Sequence, residues 1–332
     1  MRAKSATSSR FPLYAWGVLI YNLGVILFGA YVRASGSGAG CGSHWPLCNG
    51  VAIPRAPQIE TVIEFTHRLS SGASLLLIIG MVIWAFRVYP KGHMVRLGAS
   101  LSFLFIVTEA LVGAGLVLFE WVAQDQSVGR AISIVVHLLN TFMLLAALTL
   151  TAWWASGGKP IQLRGSGSAL WILGLGLAGT LLMGASGALA ALGDTLFPVQ
   201  SLAEGIRQDF SPTAHFLIRL RLLHPTIAVL VGSYLIVAAG VSSYPSQDGT
   251  VRRFARFLTL LVAVQLFAGF INVILLAPMW MQVVHLLLAD LVWIDLILLC
   301  ASRFAWNPQQ QSAPIGDSPA AFASGSKIQS TG

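Results

Sequence analysis

Val135-Val-His-Leu-Leu139 recurs letter for letter as Val283-Val-His-Leu-Leu287, and this repeat decides the reading of the fold. Identity over five residues, centred on a histidine, marks two segments as copies of one unit. Both copies lie inside long apolar stretches. The chain has 332 residues, of which 56% are hydrophobic and 10% charged, with a mean hydropathy of +0.76. Soluble domains carry about 25% charged residues, so this composition predicts an integral membrane protein. A spanning helix needs about 20 consecutive apolar residues. Eight stretches meet that length, near 12–32, 66–86, 97–118, 131–154, 169–192, 217–240, 255–276 and 279–301. The first is expected to remain as a helix, because Ala30-Tyr-Val-Arg33 is a poor cleavage site for a signal peptide.

Working outward from the repeat, the even-numbered spans carry His67, His137, His224 and His285. Spans four and eight share the five-residue identity. Glu109 and Gly113 in span three have the same spacing as Gln265 and Gly269 in span seven, and Gly29-Ala30 pairs with Gly184-Ala185 in spans one and five. The expected fold is therefore an all-α integral membrane protein of eight transmembrane helices, arranged as two tandem four-helix bundles. With four spans per unit, both bundles enter the membrane in the same direction, which implies a pseudo-two-fold axis along the membrane normal. The expected organisation is a cytoplasmic segment 1–11, an N-terminal bundle 12–155, a cytoplasmic linker 156–168, a C-terminal bundle 169–302 and a disordered cytoplasmic tail 303–332.

Charge sets the orientation. With the N-terminus inside, the cytoplasmic segments hold Arg2, Lys4, Arg10, Arg87, Lys91, Arg96, Lys159, Arg164, Arg252, Arg253, Arg256, Arg303 and Lys327, which are 13 of the 20 Lys and Arg residues. This positive-inside bias predicts cytoplasmic termini in a bacterial plasma membrane. The net charge of +8 is spread over loops rather than gathered into a patch, so nucleic acid is not an expected partner. Cys41 and Cys48 then fall outside, where disulfides persist, with His44 and Trp45 between them. The pair reads as a staple or a redox centre, since a metal would need more ligands than Cys41, Cys48 and His44. Cys300 at the inner end of the last span reads as an apolar filler.

Ionisable side chains inside a membrane are costly and tend to be functional. The four histidines stand at similar depth near the outer leaflet, one pair per bundle. Facing imidazoles across an apolar bundle suit the two axial positions of a haem iron. Arg68, Arg219 and Arg221 cluster at the outer helix ends, where they suit propionates through bidentate pairing or else snorkel to headgroups. The bundles differ in one respect: Glu64-Phe-Thr-His67 places an acid three residues before the histidine, whereas the second bundle has Leu220-Arg-Leu-Leu-His224. A carboxylate at a porphyrin edge can act as a base or stabilise a developing cation; at a helix start it also favours the dipole.

The runs Gly36-Ser-Gly-Ala-Gly-Cys-Gly-Ser-His-Trp-Pro-Leu-Cys-Asn-Gly50 and Ile63-Glu-Phe-Thr-His-Arg-Leu-Ser-Ser-Gly72, with the later histidines, resemble the haem A synthase family of the bacterial type with a cysteine pair in the first outer loop. The resemblance covers about residues 12–302. It implies oxidation of the C8 methyl of haem O to the formyl group of haem A, for terminal oxidases. It further implies that His224 and His285 hold a haem b cofactor, that His67 and His137 serve the substrate haem, and that Glu64 is needed for the chemistry. The implied partners are haem O synthase, terminal oxidase assembly factors and an electron-transfer partner, and self-association is compatible with it. Two departures stand out: His224 is followed by Pro225 rather than Arg, and Gly193-Asp-Thr-Leu-Phe-Pro198 lacks the second cysteine pair of some relatives. A di-haem electron carrier or quinone reductase would explain the histidines but not Glu64. A haem-delivery protein would explain the asymmetry without requiring an acid. In the synthase reading the cysteine loop roofs the substrate site, with Trp45 and Leu47 as its apolar underside.

Overall fold

Eight helices long and apolar enough to cross a membrane carry the chain back and forth in the computed structural model, which describes residues 10–163, 167–244, 246 and 248–305. They are α1 (Phe11–Ala34), α2 (Ile59–Val88), α3 (Met94–Leu118), α4 (Val128–Ala155), α5 (Gly167–Leu196), α7 (Phe216–Ser243), α8 (Gly249–Ile274) and α9 (Met279–Arg303). A short helix, α6 (Leu202–Asp209), lies between α5 and α7 and is absent from the sequence reading. Its apolar residues Leu202 and Ile206 are a turn apart and exposed, while Gln208 and Asp209 face Arg221. No strand occurs among the described residues.

The helix packing closes two rings. In the first, α1 packs on α2 and α4, α2 on α3, and α3 on α4; in the second, α5 packs on α7 and α9, α7 on α8, and α8 on α9. Contacts of α4 with α5 and α9, and of α1 with α9, join the rings. Burial follows this arrangement: 56% of the spanning window of α9 and 39% of that of α4 are buried, against 22–28% in the other spans, so α4 and α9 form the central seam. Trp293 of α9 stacks on Phe142 of α4 at 5.1 Å and donates its indole N–H to the Phe142 carbonyl at 2.7 Å. That bond satisfies a buried donor that would otherwise be costly in apolar surroundings.

Two matching tyrosines tie neighbouring helices: Tyr14 donates to the Leu77 carbonyl across α1 and α2, and Tyr234 to the Ile172 carbonyl across α5 and α7. Most helix starts are capped as helix physics requires. Ser127 accepts from the Arg130 N–H and Asp248 from the Thr250 N–H. His93, read from sequence as part of a basic loop, is the cap of α3, with its Nδ1 accepting from the Val95 N–H. Burial pushes the His93 imidazole below its ordinary pKa, which favours the neutral acceptor that the cap uses.

Several expected boundaries shift. Helix α2 begins at Ile59, well before the expected start near 66, so Glu64 lies in its second turn and His67 in its third. Pro225 stands in the interior of α7, leaving the Arg221 carbonyl without a helical donor. The expected linker and tail also meet: the Gln162 N–H donates to the Phe304 carbonyl, and Ile161 pairs with Ala305. The remainder of the expected disordered tail, from 306 onward, lies outside the described residues, as do Arg2, Lys4, Arg164 and Lys327.

Candidate functional site

All four histidines stand about two turns into their helices: His67 from Ile59, His137 from Val128, His224 from Phe216 and His285 from Met279. At 1.5 Å per residue this sets each of them roughly 10 Å below its helix start. Each ring packs against a glycine of the neighbouring helix. A Cβ on Gly29 would approach His67 Cε1 to 3.0 Å, one on Gly187 would approach His224 Cε1 to 3.0 Å, and one on Gly269 would approach His285 Cε1 to 3.0 Å. Gly113 faces His137 more loosely, at 3.9 Å. The partner of Gly29 in the second ring is thus Gly187, three residues beyond the Gly184 expected from sequence. Gly184 instead makes room for Phe142 at the central seam.

In the second ring His224 and His285 face each other with ring centroids 6.5 Å apart and planes at 86°. Metal–imidazole bonds of about 2 Å on opposite sides of one iron put the nitrogens about 4 Å apart and the ring centres, roughly 1 Å further out, about 6 Å apart. The observed spacing fits one iron between the rings. Ser186 Oγ lies 3.0 Å from His224 Nδ1, which leaves Nε2 for a metal. Gln265 Nε2 lies 3.3 Å from His285 Nε2 and donates to the His285 carbonyl at 3.1 Å, while His285 Nδ1 has no hydrogen-bond partner. The spacing of the two imidazoles, each beside one neutral polar side chain, therefore fits haem; no group of three or more His, Cys, Asp or Glu side chains suited to another metal occurs among the described residues.

In the first ring, His67 of α2 packs against Gly29 of α1, and His137 of α4 faces Gly113 of α3. Phe28 packs edge-on against His67 at 5.7 Å, and His67 Nδ1 is buried without a hydrogen-bond partner. Glu109 Oε1 stands 3.4 Å from His137 Nδ1.

Glu64 is 3% exposed and engaged on both oxygens. Its Oε2 accepts the Cys41 backbone N–H at 2.7 Å, and its Oε1 accepts from Arg68 Nε at 3.1 Å and from Arg68 Nη2. Arg68 continues outward, donating through Nη1 to the carbonyls of His44 at 2.6 Å and Leu47 at 2.7 Å. Helix α2 thus grips the cysteine loop through one ion pair. Gly40 permits the approach, since its backbone lies against that of Glu60 and a Cβ there would collide; its carbonyl accepts from Thr61 Oγ1 at 2.7 Å.

Cys41 and Cys48 form a disulfide and are fully buried, so neither thiolate is a metal ligand. Trp45 and Leu47 do not form the expected underside: they are 42% and 44% exposed, and the loop contacts α2 through its backbone. Replacing Cys41 or Cys48 by serine is expected to cost about 2–3 kcal/mol for an eight-residue ring and to loosen the Cys41 N–H from Glu64. Thermal unfolding of the purified variants checks this; a wild-type midpoint would show that the bond is dispensable.

The other expected propionate contacts are engaged elsewhere. Arg219 donates to the Pro212 carbonyl. Arg221 pairs with Asp194 at 3.1 Å and with Asp209, and donates to Gln208 Oε1 at 3.0 Å. It thereby ties down the loop after α5 that has no cysteines. His215 caps α7 and packs between Phe197 and Phe216. Sequence reasoning missed Arg33, which reaches from α1 into the second ring and donates to the Ala191 carbonyl, Thr195 Oγ1 and Gln282 Oε1. Asp290 is fully buried with neither carboxylate oxygen hydrogen-bonded.

The fold and the site together define an all-helical, multi-pass membrane protein with two histidine pairs, one of them with ring centroids 6.5 Å apart. Residues 12–297 match the COX15-CtaA family, cytochrome oxidase assembly protein, and the chain belongs to that family. Among its relatives, a Thermus thermophilus protein named protoheme IX farnesyltransferase is 55% identical over 263 residues, 79% of this chain and 43% of that protein. Proteins named heme A synthase from an Exiguobacterium species and from Halalkalibacterium halodurans are 42% and 44% identical over 96 and 95 residues, in each case 29% of this chain and 32% of the relative. The chain spans less than half the length of these relatives in its matches.

Proposed function

We propose that this protein is a haem A synthase that oxidises the C8 methyl of haem O to a formyl group in two successive steps, through the alcohol and a gem-diol that loses water. The net change, –CH3 + H2O → –CHO + 4H⁺ + 4e⁻, requires a site for the porphyrin, a place for protons and an exit for electrons. The observation that carries the reading is an asymmetry between the two histidine pairs: a buried Glu64 stands one turn from His67, and Leu220-Arg-Leu-Leu occupies the corresponding run before His224.

In this reading His67 and His137 hold the iron of haem O, and His224 and His285 hold haem b, which when bound supplies one-electron redox capacity. Ser186 orients His224, and Gln265 orients the His285 segment. Glu64 keeps one carboxylate lone-pair direction beyond the three bonds it accepts, from which it takes up a methyl-derived proton or stabilises positive charge at the reacting carbon. Arg68 and the Cys41 N–H hold that carboxylate in place and close the outer side against water. We place the termini in the cytoplasm of a bacterial plasma membrane, and the two rings as tandem copies about an axis along the membrane normal.

The Thermus thermophilus relative bears on partners. A longer protein named for farnesylation of protohaem that contains a stretch 55% identical to this chain supports a close link between the step that makes haem O and the step that consumes it. A second reading, that this chain itself transfers farnesyl groups, is less well supported, because a diphosphate leaving group calls for carboxylates gathered around divalent cations and no such cluster occurs among the described residues. The test is to incubate the purified, haem b-loaded protein with haem O and an electron acceptor. Loss of haem O with formation of the C8 alcohol and then haem A is expected; unchanged haem O would overturn the proposal.

A further inference from the structure

The first ring contains a second acid whose placement has a neutral counterpart in the other ring. Glu109 of α3 has its Oε1 3.4 Å from His137 Nδ1, within ion-pair distance, while Nδ1 makes no hydrogen bond. Both of its oxygens are held: the Thr141 hydroxyl donates to Oε1 and the Asn140 amide to Oε2. Asn140 is itself fixed, donating to the Phe105 carbonyl at 2.9 Å and accepting from Thr108 Oγ1 at 2.6 Å. In the second ring Gln265 of α8 holds the same sequence position, four residues before the glycine that faces His285 as Glu109 precedes Gly113, but its amide lies 3.3 Å from His285 Nε2 and leaves Nδ1 without a partner. One histidine therefore meets a braced carboxylate and the other an amide.

A carboxylate beside one ring nitrogen of a metal-ligating histidine fixes the proton there, frees the other nitrogen for the metal and makes the imidazole a stronger donor. An amide does not add the negative charge. We propose that Glu109 is the positioning residue for His137: it holds Nδ1–H so that Nε2 meets the substrate iron, and its charge gives the first ring's iron a more anionic setting than the second ring's. The proposal rests on the reading of His67 and His137 as the substrate-haem site. It separates the two rings by what stands behind a ligand, independently of Glu64.

The test uses the full-length protein in detergent, loaded with haem O, with binding titrations and reductive titrations of each haem. Glu109→Gln is expected to weaken haem O uptake in the first ring by about 10- to 100-fold and to raise the reduction potential of what binds there, with the spectrum of the haem at His224 and His285 unchanged. Glu109→Asp should recover part of both effects. Thr141→Val removes one of the donors that brace the Glu109 carboxylate while keeping its charge; it should shift affinity and potential in the same direction by less, which keeps the proposal testable should Glu109→Gln fail to fold. Wild-type affinity and potential in Glu109→Gln, or in Thr141→Val where the Gln variant does not fold, would overturn it. Failure of the wild-type protein to bind haem O in the first ring would instead overturn the site reading beneath it, and is recognised because the unmutated protein shows it.

Discussion

Glu64→Gln is expected to abolish formation of haem A while leaving the haem at His224 and His285 in place. The side chain keeps its size and its place in the second turn of α2, but loses the charge that Arg68 and the Cys41 N–H hold. General acid or base action contributes about 10²- to 10⁴-fold to rate, so conversion should fall by at least two orders of magnitude. The ion pair is buried, with side-chain exposures of 4% for Glu64 and 13% for Arg68, and breaking such a pair by removing one partner costs about 3–5 kcal/mol. Part of the effect is therefore structural, and Arg68→Gln separates the two parts. It breaks the same pair and the same grip on the His44 and Leu47 carbonyls, but retains the carboxylate. Residual conversion in Arg68→Gln well above that in Glu64→Gln would assign the chemistry to Glu64. Equal loss in both would make the pair a fastening for the loop and nothing more.

His224→Ala should strip the cofactor haem. The second ring offers two facing imidazoles 6.5 Å apart, and removing one leaves a single axial ligand opposite a cavity next to Gly187. The visible spectrum of the purified variant checks this, with loss of the six-coordinate low-spin bands expected and His285→Ala expected to match it. Haem O uptake in the first ring should persist in both variants, because His67 and His137 stand on α2 and α4 and share no helix with the second pair. A normal low-spin spectrum in His224→Ala would refute the assignment.

Much of this was legible in the sequence because membrane physics leaves few choices. Eight apolar stretches of spanning length had to become helices, since only internally bonded backbone is stable in lipid, and the histidine repeat singled out four side chains that the structure sets at matching positions against four glycines. Boundaries were less legible: the expected span near 66–86 missed the polar first turns of α2, where Thr61 bonds the Gly40 carbonyl and Glu64 bonds the loop. Hydropathy does not register residues satisfied by tertiary partners. The same blindness hid α6, too short and too polar on one face to register as a span, and the cross-ring reach of Arg33. Arg68 and Arg221 were read as propionate contacts from their position at helix ends. In this structure Arg68 holds Glu64 and two carbonyls of the cysteine loop, and Arg221 holds Asp194, Asp209 and Gln208, contacts set by how α2, α5 and α6 meet their neighbours, which a single sequence does not specify. Glu109 was visible as a buried acid with Gln265 at the matching spacing, but its proximity to His137 emerged only from the packing of α3 on α4.

The central claim, that the ring bearing Glu64 oxidises haem O, is tested most directly by the mass of the haems extracted from a bacterium that makes haem O but not haem A and expresses this chain. The account predicts haem A with its C8 alcohol precursor in cells carrying the wild-type chain, and only haem O and haem b in cells carrying Glu64→Gln at equal, haem-loaded abundance. Unchanged haem O from abundant wild-type protein, or haem A at the wild-type level from Glu64→Gln, would contradict it.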